Sequence, residues 1–499
     1  MRITGIFAAL LIAAAAAGIR AQPSVLTITG ATVIDGIGDG GAAVANAVVV
    51  VRDGRIAAVG PRASTPVPAG AQTIDGTGQF VVPGFVDTNV HLSLYGGMND
   101  RYETLVRYHD RQQEIVLEAA QTDLTYGITT VRDSYGMLRP LVAVRDRIAA
   151  GGAVGPRILA AGNIVGWSGP YSISFSLTRP AGLTLFQEQM NDEIAQGAGE
   201  ELMAMTPAAL AKAIDAYLDK GPDFIKYGGT SHFSEPAFIG YSAEAQKTIV
   251  ERTHARRKMV ETHATSLEGL RLALEAGIDG IQHPEMMDGA EMPDDLIKKI
   301  VAKEKEIVCS MLVSTITGEA WEKHVKDRAD AQKKQQEADE KTRRPRTTFE
   351  DRQRANELGL GLEVRRSNAQ KLIKAGALVT VGTDSYWAAA SELSRTPKPR
   401  NQDHGIGTIM AIEGLVELGM TPSQAIVAGT KNGAIAARGI AEFGTIDAGK
   451  RADIVLLRED PLADIHNIRK VSTVIKDGRV IDRASLPQVR VLTRSPSSH

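Results

Sequence analysis

A chain of 499 residues, 43% hydrophobic and 23% charged, is long enough for one large domain and a smaller one around an ample core. Its formal net charge of -2 supplies no basic field of the kind that nucleic-acid binding needs, which sets nucleic acid aside as a partner. A single cysteine, Cys309, excludes an intramolecular disulfide, and its apolar setting Ile307-Val308-Cys309 predicts a buried thiol.

At the start of the chain, Arg2 precedes an apolar run from Ile3 to Ala17 that continues Ala-rich to Ala21. This pattern predicts a signal peptide over residues 1–21, because the run is too short to span a bilayer comfortably. The mature chain is therefore expected in a periplasm or outside the cell. No later stretch is apolar for long enough to cross a membrane, so no membrane partner is expected.

Residues 22–82 read as strand and turn, with Val48-Val49-Val50-Val51 leading into the hairpin-type turn Asp53-Gly54. Residues 440–490 repeat the style, with a second Asp-Gly turn at Asp477-Gly478. Two such hairpins near opposite termini predict one small β-domain, a β-sandwich assembled from both ends. Between them, over residues 83–439, short apolar strands alternate with longer helical patterns. The predicted strands are 85–89, 129–132, 157–160, 224–226, 259–262, 280–282, 307–310 and 378–381. Eight strands separated by helices predict an α/β fold, a (β/α)8 TIM barrel, with a doubly wound open sheet as the competing arrangement. Residues 321–366 are dense in Lys, Arg, Glu, Asp and Gln and read as an exposed helical excursion between strands seven and eight.

The C-terminal strand ends of such a barrel are where catalytic groups collect. Here strand one gives Asn89 and His91, two apart and so on one side of the strand. Strand four ends in Lys226, strand five in His263, strand six in His283 and strand eight in Asp384. Each residue alone is ordinary: a strand-end histidine, a lysine that pairs with an acid, an aspartate that caps a helix. Their occurrence in order at the ends of five strands points to one site.

The stretch Pro83-Gly84-Phe85-Val86-Asp87-Thr88-Asn89-Val90-His91 resembles the first-strand motif of the amidohydrolase superfamily, with Asn89 where the first histidine usually stands. Residues 444–453, from Gly444 to Asp453, resemble that family's closing segment. The resemblance covers nearly the whole mature chain and lies in the branch that includes imidazolonepropionases and Xaa-Pro or Xaa-Arg dipeptidases.

It implies a metal-dependent hydrolase of carbon–nitrogen bonds. The metal would be divalent, usually zinc, with two ions per chain bridged by a carboxylated Lys226. His263 and His283 would hold one ion, and His91 and Asp384 the other. Neutral imidazoles and carboxylates suit zinc, while a carboxamide is the poorer ligand, so Asn89 is a doubtful one and a one-metal enzyme is the alternative. Asp384 would move the proton from water to the leaving nitrogen.

Implied substrates are small amides, as dipeptides or N-acyl amino acids. Opening of a cyclic amide is a second reading, and a metal-weakened protein that binds ligands without turnover is a third. Assemblies of identical chains are common in that family. The strand-three Thr-Gly-Gly-His motif of the dipeptidases is replaced here by Gly166-Trp167-Ser168-Gly169-Pro170-Tyr171. Trp167 and Tyr171 are candidates to line a substrate pocket, with ordinary loop packing as the alternative. His232 is a candidate to face the same pocket. Arg132, at the end of strand two, is a candidate to pair a substrate carboxylate, with an internal salt bridge as its competing role. His109, His254, His324, His404, His466 and His499 match no ligand motif and read as structural or exposed.

Overall fold

The computed structural model describes residues 25–38, 43–96, 106–169, 172, 174, 182–232, 238–286, 289–302, 306–341, 347, 360–388, 393 and 398–493. Residues 1–21, where a signal peptide is expected, and Tyr171 and His499 lie outside these.

The first five strands are β1 (Val25–Val33), β2 (Val44–Arg52), β3 (Arg55–Pro61), β4 (Gln72–Asp75) and β5 (Phe80–Pro83). The parallel set follows: β6 (Phe85–Tyr95), β7 (Ile128–Asp133), β8 (Arg157–Ala160), β9 (Ile164–Val165), β10 (Ile225–Gly228), β11 (Val260–His263), β12 (Gly280–Gln282), β13 (Val308–Met311), β14 (Leu378–Val381) and β15 (Ser385–Trp387). Last come β16 (Ile454–Leu457), β17 (Val471–Lys476) and β18 (Arg479–Val480).

Strands from the two ends form one sheet, in the order β18-β17-β16-β5-β1-β2-β3, with β4 beside β1. The expected two-layered sandwich is thus recorded as a single continuous sheet. Its apolar face, including Ile28, Val49, Val81, Ile454 and Ile475, packs into a core of its own. β5 is the joint, running parallel to β1 and pairing antiparallel with β16, where Ile454 faces Pro83.

The parallel strands make a barrel-like arrangement in two sheets, β14-β13-β12-β11-β10-β9 and β15-β6-β7-β8. The sheets meet where Thr383 and Asp384 donate their backbone N–H groups to Asn89 O at 3.1 and 2.8 Å. Each of the eight predicted strands is present within a residue or two, except that β6 runs six residues further, to Tyr95. All eleven residues of β6 are buried, so no inside–outside alternation marks where it ends.

The charged excursion falls on the helices Gly318–Lys341 and Leu360–Lys374, which reach beyond it on both sides. It is tied down by Arg366, whose guanidinium lies 4.5 Å from the Trp321 ring centre and 2.8 Å from Glu417. A buried carboxylate, Glu118, accepts the backbone N–H groups of Val491, Leu492 and Thr493 at 2.9–3.0 Å and fastens residues 491–493 to the helix Gln112–Thr125. Cys309 is buried as expected, and burial pushes its thiol up to about 12. Among the described residues no helix is long and apolar enough to cross a membrane.

Candidate active site

A register slip between Asp87 and Val90 re-aims the end of β6. Thr88 points into the barrel interior, where its hydroxyl meets Ser310 and Thr380, and the bulge then turns Asn89 and His91 together into the mouth. There they meet Lys226, His263, His283 and Asp384 from the ends of the other strands. All of these except the deeper Asn89 line one cavity of about 190 Å³, together with Trp167 and His232. His283 (φ 55°) and Asp384 (φ 52°) both hold the left-handed backbone conformation. Non-glycine residues held there cost about 1–3 kcal/mol each and collect at functional sites.

Asp384 is the hub. Its Oδ1 lies 3.1 Å from His91 Nε2, 3.3 Å from His283 Nε2 and 2.7 Å from Asn89 Nδ2. Burial pushes the Asp384 carboxyl up, but His283 and His91 outweigh it and hold it well below the usual carboxylate range. His91 Nδ1 donates to the Tyr135 carbonyl at 3.1 Å, which turns Nε2 toward Asp384, and burial lowers the pKa of the ring against the pull of that carboxylate. In its neutral form the ring would set a lone pair against the carboxylate oxygen, an arrangement that a cation between or beside the two would relieve. His263 Nε2 is buried with no hydrogen-bond partner, and burial, with His283 second, holds this imidazole well below its usual range.

Lys226 is 2% exposed, and its Nζ donates to Ser134 Oγ at 3.3 Å. Burial lowers its pKa against the pull of Asp384, Glu261 and Asp133. Among the described residues no three His, Cys, Asp or Glu side chains stand as a ready-made metal cage. The lone pairs on His91 and His263, the Asp384 carboxylate and the buried amine nonetheless fit a divalent cation.

Asn89 is not placed as a ligand. The Ser134 hydroxyl donates to its Oδ1, which leaves Nδ2 to donate toward Asp384. The opposite orientation of the amide would set its oxygen against the carboxylate. Asn89 therefore works here as a hydrogen-bond donor.

A model of the amidohydrolase family matches residues 80–481. The chain belongs to the amidohydrolase family. A solved molinate hydrolase is 31% identical over 95% of this chain and 98% of its own, with a TM-score of 0.82. A solved phenylurea hydrolase B is 31% identical over 95% and 100%, with a TM-score of 0.80. Ochratoxinase from Aspergillus niger is 26% identical over 87% of this chain and 82% of its own. This amidohydrolase is accordingly an enzyme that hydrolyses carbon–nitrogen bonds of small molecules, in a family that generally uses divalent metals.

In this amidohydrolase the remaining candidates separate cleanly. Trp167 and His232 line the cavity, with the indole 5.0 Å from the His263 ring and the His232 ring stacked 5.8 Å from it. Arg132 does not line it. The guanidinium is 1% exposed, 2.9 Å from Glu261 Oε2 and 4.0 Å from the Phe224 ring centre. The assignment of Arg132 to a substrate carboxylate is corrected to an internal ion pair. Sequence reasoning missed Ser134, Tyr135, Tyr386 and Gln402, which hold or line the site; the polar run Arg132-Asp133-Ser134-Tyr135 at the end of β7 was the available signal.

Trp167 owes its place to a glycine. A Cβ on Gly228 would come within 2.0 Å of Trp167 Nε1, closer than real Cβ contacts allow. Gly228→Ala is expected to push the indole into the cavity, raising KM and costing about 1–3 kcal/mol of stability through overpacking. Thermal melting and Michaelis kinetics on the same preparation check both effects.

Proposed function

We propose that this chain is an exported, metal-dependent amidase that acts on small, neutral amide-type substrates with one divalent ion per chain. The observation that carries the metal is His263 Nε2, buried without a hydrogen-bond partner on the same cavity as His283, Lys226 and Asp384. Lys226, His263, His283 and Asp384 would hold the ion, with His91 beside them, and zinc is the ion that this donor set suits. When bound, it lowers the pKa of water and polarises the scissile carbonyl.

Asp384 takes the proton from water and returns it to the leaving nitrogen, which departs as the neutral amine. The neutral Lys226 amine adds to carbon dioxide and releases one proton, so a cation that repels metal becomes an anionic ligand. Asn89, donating to Asp384, fixes the carboxylate without adding a ligand, which favours one ion over two. His232 and Trp167 form one wall for the substrate. A closed (β/α)8 barrel frames this site, and the leader over residues 1–21 delivers the chain to a periplasm or the exterior.

The substrate class follows from what the wall lacks. Leu94, Ile164, Met286 and Leu312 line the cavity with aromatic rings, and no arginine or second lysine does so among the described residues. A dipeptide or N-acyl amino acid would leave its carboxylate without a cation there, at a cost comparable to a buried unpaired charge. Neutral anilides, carbamates and ureas fit better; the two solved relatives are named for molinate and phenylurea.

Metal per chain, measured for wild type and Asn89→His, tests the reading together with hydrolysis of neutral anilides, linear dipeptides and cyclic amides. The expected result is one ion in wild type, a second in the variant, and turnover of the anilides. Turnover of dipeptides alone overturns the neutral-substrate assignment. Two ions in wild type overturn the role given to Asn89.

A further inference from the structure

Three polar side chains from three elements meet out of reach of solvent, outside the cavity lining but next to the hub of the site. Ser385, the residue bonded to Asp384, places Oγ 3.2 Å from Nδ1 of His404. The same nitrogen lies 3.4 Å from Oδ2 of Asp123, in the last turn of the helix Gln112–Thr125. Ser385 is 1% exposed, His404 2% and Asp123 0%. Neither carboxylate oxygen of Asp123 has a well-aligned hydrogen-bond partner, and its other charged neighbour is the like-charged Asp87. Among the described residues His404 is the basic side chain within ion-pair distance of Asp123.

We propose that His404, held by Asp123, is a positioning residue for Asp384. This role rests on the reading of Asp384 as the acid–base group. His404 Nδ1 hydrogen-bonds Ser385 Oγ at 3.2 Å and stands 3.4 Å from the Asp123 carboxylate, so the ring is seated between the acid and the serine and the serine is fixed by the ring. On the other side, Asn89 O accepts the N–H groups of Thr383 and Asp384. Asp384 is thus gripped from both directions at the point where its backbone holds a left-handed conformation that it would not keep by itself.

A pair that served stability alone would be matched by apolar side chains of the same volume. Such a pair would not need a donor aimed at the residue after Asp384. The histidine read from sequence as structural or exposed is therefore part of what aims the carboxylate.

The test compares His404→Leu, which removes the donor, with His404→Asn, whose amide nitrogen falls near the place of Nδ1. Asp123→Asn keeps the shape and removes the charge. Each is measured for kcat and KM on the best neutral anilide, for zinc retained per chain, and for melting temperature. His404→Leu is expected to lose about ten- to a hundredfold in kcat with KM nearly unchanged, the size of effect that a misplaced group produces. His404→Asn is expected to recover most of that loss even if it melts as early as the leucine variant.

Equal kcat losses in both variants, or no loss in the leucine variant, overturn the proposal. Should His404→Leu not fold, an unchanged kcat in Asp123→Asn overturns it equally. Wild-type protein with neither metal nor turnover sinks the amidase reading, and this inference with it; active wild type beside an unaffected leucine variant sinks the inference alone.

Discussion

Asp384→Asn is expected to lower turnover by about 10²–10⁴-fold, the range supplied by one positioned acid–base group. Asparagine keeps the shape of the side chain, and the backbone N–H of residue 384 still reaches Asn89 O, so the variant is expected to fold. What it loses is the charge on which His91, His283 and Asn89 converge. The two histidines keep the wild-type carboxyl ionised well below the usual carboxylate range. The acid limb of the wild-type pH profile is therefore not a titration of Asp384. It belongs to protonation of imidazoles such as His263, which burial holds well below the usual imidazole range and which binds metal only when neutral. Steady-state kinetics with metal analysis on the same samples checks this. A variant that keeps more than about a tenth of wild-type kcat removes Asp384 from the proton transfer.

Arg132→Met carries the largest expected effect on stability, about 3–5 kcal/mol, the cost of leaving one member of a buried ion pair without the other. Arg132 and Glu261 are 1% and 2% exposed and lie 2.9 Å apart, with Gln282 donating to the second Glu261 oxygen at 2.7 Å. Removing only the arginine strands a carboxylate in the barrel interior. Removing both charges, in Arg132→Met with Glu261→Gln, is expected to recover most of the loss. Urea unfolding of the two variants reads the difference directly. If Arg132 met a substrate carboxylate instead, the single variant would raise KM on an undisturbed fold. That outcome would return Arg132 to a substrate-binding role.

The barrel strands were legible because each is a short apolar run closed by turn residues. Lys226, His263, His283 and Asp384 were legible because strand ends collect chemistry. Arg132 misled for the same reason: it too sits near a strand end, but its side chain turns inward to Glu261, and no single-chain pattern separates the two directions. Asn89 was visible as a departure, yet its role depends on Ser134, which fixes the amide from a different strand. His404 gave no local signal, since its partners Asp123 and Ser385 come from distant parts of the chain. Contacts of that kind are properties of the assembled fold.

The position of β5 between β1 and β16 sets an order of events in time. When β5 leaves the ribosome, one of its edges can pair at once with β1, but the strand that covers the other edge, β16, is made only after the whole barrel. Until then a bare strand edge is exposed, and such edges recruit other chains. Folding of the intervening barrel shortens the loop to be closed, and closure entropy grows only slowly with loop length, so the late pairing is not costly at equilibrium. The hazard lies in the waiting. A chain halted before residue 454 is left with that edge open, and the N-terminal strands, fully made and correctly paired among themselves, become the part of the molecule most prone to aggregate.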